Sequence, residues 1–207
     1  LILVIVVLSV FLGTVRTSFV VCFTLIITPL VTFLVMNYYG MPANLMSLGG
    51  LTIALGMMVD PTVVVVENIY QRLGEVKDTG KSKFNVIVDA TAEVGTPVIF
   101  GLIVTVLVFL PLMTLEGMEG KTFSPLAITI SISLFIALIV SLLLSPVLCD
   151  YLINGGSEQD TKIIAVMKKA YLSVFDLAMR NQKITIIISI GSLMVAFAIF
   201  PFLGTSF

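Results

Sequence analysis

Long apolar stretches separated by short polar ones dominate this chain. Residues 18–36, 44–66, 96–115, 123–149 and 184–203 are each nearly uninterrupted apolar runs, and a helix that crosses a bilayer needs about 20 such residues. Each run predicts a transmembrane helix. Residues 1–12 (LILVIVVLSVFL) are too short for a span and read as the closing part of a sixth that starts ahead of this chain. At the other end, FPFLGTSF stops where a helix would leave the membrane, so the chain reads as a piece of a larger protein. The expected fold class is all-α, a polytopic transmembrane helix bundle.

A different periodicity follows the fourth complete run. Residues 154–161 (NGGSEQDT) form a polar linker, and residues 162–183 then place Ile164, Met167, Tyr171, Val174 and Ala178 on one side of a helix, with Lys162, Lys169 and Asp176 opposite. A basic amphipathic helix next to a span is expected to lie in the membrane interface and connect two bundles. The expected organisation is therefore a bundle over 1–153, a linker and amphipathic helix over 154–183, and a further span over 184–207.

Composition agrees. Of the 207 residues 58% are hydrophobic and 11% charged, against about 25% charged in an ordinary soluble domain. With so little polar surface, membrane lipid is the solvent. Charge sets the orientation: ten of the eleven Lys and Arg residues fall in 13–17, 70–90 and 150–183, and only Lys121 lies on the other side. The positive-inside rule places those three loops in the cytoplasm. No basic stripe suggests nucleic acid, no His is present, and Cys22 and Cys149 read as small buried hydrophobes.

Against this background one residue is out of place. LGMMVDPTVVVVENIYQRL, residues 55–73, carries Asp60 within an apolar run, followed at once by Pro61. An aspartate at membrane depth costs about 2.5–3.5 kcal/mol on insertion scales and is retained mainly where it faces a bundle interior or a partner. Loss of water favours the neutral carboxyl and a nearby cation favours the carboxylate. A carboxyl held between the two effects takes up and releases protons, so Asp60 is the candidate proton-relay residue, with a structural contact between helices as the alternative. Pro61 cannot donate to the carbonyl of Met57 and predicts a kink. Glu67 lies two turns further on the same face as Gly56 and Asp60, either a structural helix-end group or a proton exit.

Other candidates carry less. Asp89 and Glu93 read as hydrated acids near a helix start, favoured there by the helix dipole, and Glu116 and Glu119 as a solvated turn. Gly49, Gly50, Gly56, Gly95, Gly101, Ser131, Ser133, Ser141 and Ser145 mark close, hydrogen-bonded helix contacts. Ten methionines invite a soft-metal reading, but methionine is also common filler in apolar cores. Nothing resembles paired catalytic carboxylates, a His motif or a Ser–Lys arrangement, so no enzyme is expected.

These motifs carry a resemblance. LGGLTIALGMMVDPTVVVVEN resembles the fourth transmembrane helix of resistance-nodulation-division (RND) efflux transporters, in which a Gly-rich helix leads to Val-Asp, a β-branched run and Glu-Asn. PLMTLEGMEGKTFSPLA, residues 111–127, resembles the helix 5–6 turn of the heavy-metal efflux branch, and SPVLCDYL with the amphipathic helix resembles the sixth helix and cytoplasmic connector.

The resemblance spans the end of helix 2 to helix 7 of a 12-helix membrane domain. It implies a homotrimer in the bacterial inner membrane that exports heavy-metal cations by proton antiport. The proton gradient would be the energy source, with no cofactor. A periplasmic adaptor and an outer-membrane channel would join through domains outside this chain. Two positions depart from the family. Pro61 stands where a small residue or a second Asp is more usual. Of the methionines proposed to pass copper or silver, Met58 matches, whereas Val65, Leu134 and Cys149 occupy other such positions. Zinc, cobalt or cadmium therefore stand beside copper(I) and silver as cargo, with an organic substrate or a non-transporting membrane scaffold as alternatives.

Overall fold

A computed structural model of the chain describes residues 7, 14–76, 82–153 and 162–199. The linker at 154–161 and, apart from Val7, the segment at 1–12 lie outside the described residues. So does the end of the last expected span.

Among the described residues every regular element is helical, as an all-α bundle requires. They are α1 (Val15–Tyr38), α2 (Leu45–Met57), α3 (Val59–Glu75), α4 (Lys83–Met113), α5 (Gly117–Ile139), a π-turn (Val140–Leu144), α6 (Ser145–Leu152), α7 (Lys162–Arg180) and α8 (Gln182–Ile199). Five stretches are long and apolar enough to cross a membrane: Val15–Tyr38, Leu45–Glu75, Lys83–Met113, Gly117–Leu152 and Gln182–Ile199. They contain all or most of each predicted span and run past the apolar cores, because backbone hydrogen bonding continues where hydropathy falls.

The turns show why the chain reverses where it does. Past α1, Gly40 adopts φ +65°, a conformation easy only without a Cβ. Its N–H then donates to Asn37 O (3.1 Å), and that of Met41 to Met36 O (2.9 Å), a Schellman closure of the last turn. Asn44 then starts α2 through a reciprocal capping box with Ser47, 2.8 and 2.9 Å. Pro29, Pro97, Pro111 and Pro125 lie inside helices, and two further prolines stand in first turns. Pro61 falls in the first turn of α3, where its missing N–H has no intrahelical partner to lose. Pro146 follows the π-turn, whose wider backbone relieves the clash between the proline ring and the preceding carbonyls.

Residues 1–159 form one compact unit. Its core is a continuous apolar cluster from α1 to α6, with Val20, Met58, Val65, Ile69, Ile130, Leu134 and Cys149 almost completely buried. α2 packs closely on α5: a Cβ on Gly50 would stand 2.6 Å from the Leu126 carbonyl oxygen. Residues 160–207 form a second unit. Within it α7 carries Val166, Met167, Tyr171, Val174 and Phe175 exposed, with Tyr171 and Phe175 stacked at 5.7 Å. α8 follows after Asn181, whose carbonyl accepts the Thr185 N–H at 3.0 Å.

Candidate functional site

The fourth-helix motif folds as two helices meeting at Met58. The Met58 N–H donates to Ala54 O at 2.8 Å, closing the last turn of α2 at the bend. Asp60 lies in the first turn of α3, immediately beyond the bend. The unpaired N–H groups of a first turn carry partial positive charge and favour an anion nearby. Local sequence thus supplies a setting for a carboxylate within an otherwise apolar span.

The two faces of this span differ sharply. Ser47, Gly50, Leu51, Ala54, Met58, Thr62, Val65, Val66, Ile69 and Leu73 face the core. Opposite them Thr52, Gly56, Asp60, Val64, Glu67 and Gln71 form one continuous exposed stripe through the bend. Gly56, Asp60 and Glu67 do share a face, as their spacing predicts. That face turns away from the described helices. Glu67 accepts from Gln71 Nε2 of its own helix at 3.2 Å.

Met58 is 1% exposed, and Val65, Leu134 and Cys149 lie with it in the same apolar cluster. The four positions compared with the family's methionines are thus all buried in the core, as one thioether, one thiol and two hydrocarbon side chains. Among the described residues, no three His, Cys, Asp or Glu gather as a metal site.

Sequence reasoning missed a polar clamp at the end of the bundle where α3 finishes. Arg72 on α3 grips Glu93 on α4 through Nη2–Oε1 at 2.7 Å and Nε–Oε2 at 3.1 Å, and holds Glu75 at 2.9 Å. Asn68, the residue after Glu67, donates to Ala90 O at 2.8 Å across the same pair of helices. Glu93 is thus neither simply hydrated nor at a helix start; it lies ten residues inside α4 as a cross-helix partner. The i, i+4 spacing of Asp89 and Glu93 concealed this, because nothing local links position 93 to position 72. At the same end Lys83 pairs with Asp150, at 3.4 Å to its carboxylate, and also donates to its main-chain oxygen. The other end carries exposed Glu116 and Glu119, the solvated turn expected.

A family model described as the AcrB/AcrD/AcrF family matches residues 1–207. The chain is 38% identical over 161 residues to the cation efflux system protein CusA of Escherichia coli K12, covering 74% of this chain and 15% of that protein. It is 32% identical over 213 residues to the cobalt-zinc-cadmium resistance protein CzcA of Cupriavidus metallidurans, covering 100% of this chain and 20% of that protein. A crystal structure of a heavy metal efflux pump aligns with a TM-score of 0.58 and 37% identity, over 70% of this chain and 14% of that one. The chain thus spans at most about a fifth of the length of these relatives.

Proposed function

The chain belongs to the AcrB/AcrD/AcrF family, and from that footing we propose that it is the membrane portion of a proton-driven antiporter exporting heavy-metal cations. The observation that carries the reading is Asp60: a carboxylate just past a helix bend, in the first turn of α3, on a face left open by the bundle. In hydrocarbon such a face is costly, so in the whole protein later helices would cover it and bring a Lys or acidic partner to Asp60. Protonation of Asp60 removes the charge that attracts a Lys or repels a second carboxylate, and deprotonation restores it. The two charge states favour different packings of α3 against the covering helices, and that difference is what couples proton entry to export.

The direction follows from charge. Ten of eleven basic residues at one set of loops support a cytoplasmic position for those loops, and a bacterial inner membrane rests on the family. Asp60 then takes its proton from the periplasmic side and releases it towards the cytoplasm, past Glu67 at the open stripe. Names of the relatives support cation cargo: cobalt, zinc and cadmium for one, cation efflux for another. A homotrimer with a periplasmic adaptor and an outer-membrane channel rests on the family alone.

A second reading, export of organic molecules, draws on Val65, Leu134 and Cys149, which deny the core a run of thioethers. One experiment separates the readings. The full-length protein in proteoliposomes under an imposed pH gradient is assayed with zinc, cobalt, cadmium, copper(I) and silver, as wild type and Asp60→Asn. Gradient-driven export lost in the variant supports the relay and names the cargo. Unchanged export in Asp60→Asn removes the relay role, and export of none of the five moves the cargo to organic substrates.

A further inference from the structure

The chain turns a corner between α7 and α8. Thr185 Oγ donates to the carbonyl of Asn181 at 3.2 Å and, seven residues back, approaches that of Ala178 at 3.1 Å. Seven residues of straight helix rise by about 10 Å, so the second contact closes only where the axis bends towards the side that carries Ala178 and Thr185. Ala178 belongs to the apolar face of α7, in line with Met167, Tyr171 and Val174. The bend at Asn181 therefore sends α8 away on the apolar side of α7.

That direction fixes what the apolar face meets. α8 is long and apolar enough to cross a membrane, and only Asn181 separates it from α7. A bilayer that takes in α8 is met by α7 with its apolar face first. Met167, Tyr171, Val174 and Phe175 are 44–68% exposed there, a surface that water disfavours and the boundary of headgroups and acyl chains accepts. The rest of the segment is basic. Residues 162–183 hold five Lys and Arg against a single acid, Asp176. Lys169 and Arg180 lie opposite the apolar face, both exposed, and neither is paired with a carboxylate among the described residues. An interfacial helix sinks its apolar face by about 5–10 Å and is about 10 Å across, which brings its opposite face level with the phosphates.

We propose that α7 is a lipid-recognition surface that seats its apolar face in the leaflet entered by α8 and gathers anionic phospholipids through Lys169 and Arg180. The chemistry selects the ligand. A zwitterionic headgroup carries its own cation beside the phosphate, whereas an anionic headgroup leaves that negative charge to be met by the protein. Basic side chains on an amphipathic helix attract such lipids within a Debye length of the surface. The guanidinium of Arg180 can take two phosphate oxygens at once, and the Lys169 ammonium acts as a point charge. The inference extends the interfacial position expected from periodicity to a choice of lipid. It rests on α8 crossing the bilayer and not on the efflux reading.

The test uses the full-length protein in nanodiscs that mix phosphatidylglycerol with an excess of phosphatidylcholine. A bimane fluorophore is attached at Val174→Cys in a background without other reactive cysteines. Brominated acyl chains, which quench it on contact, are carried by one lipid or the other at equal mole fraction. Both are expected to quench, and the anionic lipid more strongly, by up to about fivefold for each basic side chain at the surface. Lys169→Gln/Arg180→Gln is expected to bring the two lipids level while both still quench, and Lys169→Arg/Arg180→Lys to keep the difference. Quenching by neither lipid would mean that a protein surface covers the face, and equal quenching in the unaltered helix would leave docking without recognition. A preference that persists in the glutamine variant would take recognition away from these two residues. Each of those three results overturns the proposal, and the first two are read without altering either basic residue.

Discussion

Arg72 and Glu93, 21 positions apart, meet as a two-point guanidinium–carboxylate pair, 2.7 and 3.1 Å, that ties the end of α3 to α4. Two parallel N–H···O contacts fix direction as well as distance, so the pair fastens the end of α3 to α4 in one register. Arg72→Glu or Glu93→Arg alone is expected to lower the unfolding midpoint in nanodiscs, through like-charge contact with the residue left behind. The double variant Arg72→Glu/Glu93→Arg is expected to recover most of the loss, the pairwise term that a double-mutant cycle isolates. Additive losses in the double variant would show that the pair carries no coupling.

Gly50 marks the closest approach of α2 to α5, with backbone and not a flexible side chain as its neighbour. Gly50→Ala is expected to destabilise by about 1–3 kcal/mol through overpacking. Gly101, where an added Cβ would meet nothing within 4 Å, is the comparison: Gly101→Ala should be neutral or stabilising by up to about 1 kcal/mol, because alanine is the better helix former. Reversible unfolding of both variants side by side gives the answer, and equal effects would remove the close contact as the cause.

Asn44 holds the start of α2 through its exchange of hydrogen bonds with Ser47. Asn44→Ala is expected to cost about 0.5–2 kcal/mol. Hydrogen exchange should localise the loss to the first turn of α2, leaving the amides of α5 protected. Uniform loss of protection would mean that this turn unfolds only with the whole bundle.

Met58 occupies the bend with its side chain in the apolar core. Met58→Leu nearly conserves volume and should cost less than about 1.5 kcal/mol, whereas Met58→Ala leaves a cavity and should cost about 2–5 kcal/mol. Denaturation in lipid measures both. Comparable losses would indicate that the thioether itself, and not its volume, is needed there.

Much of this protein was legible along the chain. Apolar runs of spanning length revealed the membrane helices, because a helix in lipid must satisfy its backbone internally and clothe itself in hydrocarbon whatever it packs against. The amphipathic period of α7 and the isolation of Asp60 in its span were equally local, as was the expectation that Pro61 bends the backbone near Met57. What the fold decided is pairwise. Which helix faces which placed Glu93 on Arg72 and Asn68 on Ala90 O, and left the Asp60 stripe open while burying Met58. Periodicity fixes the faces of a helix from its own sequence, but in a chain that is apolar nearly all round it does not say which neighbour each face will meet. That choice comes from close packing between helices distant in sequence, where one Gly50 or one π-turn shifts the register of every contact beyond it.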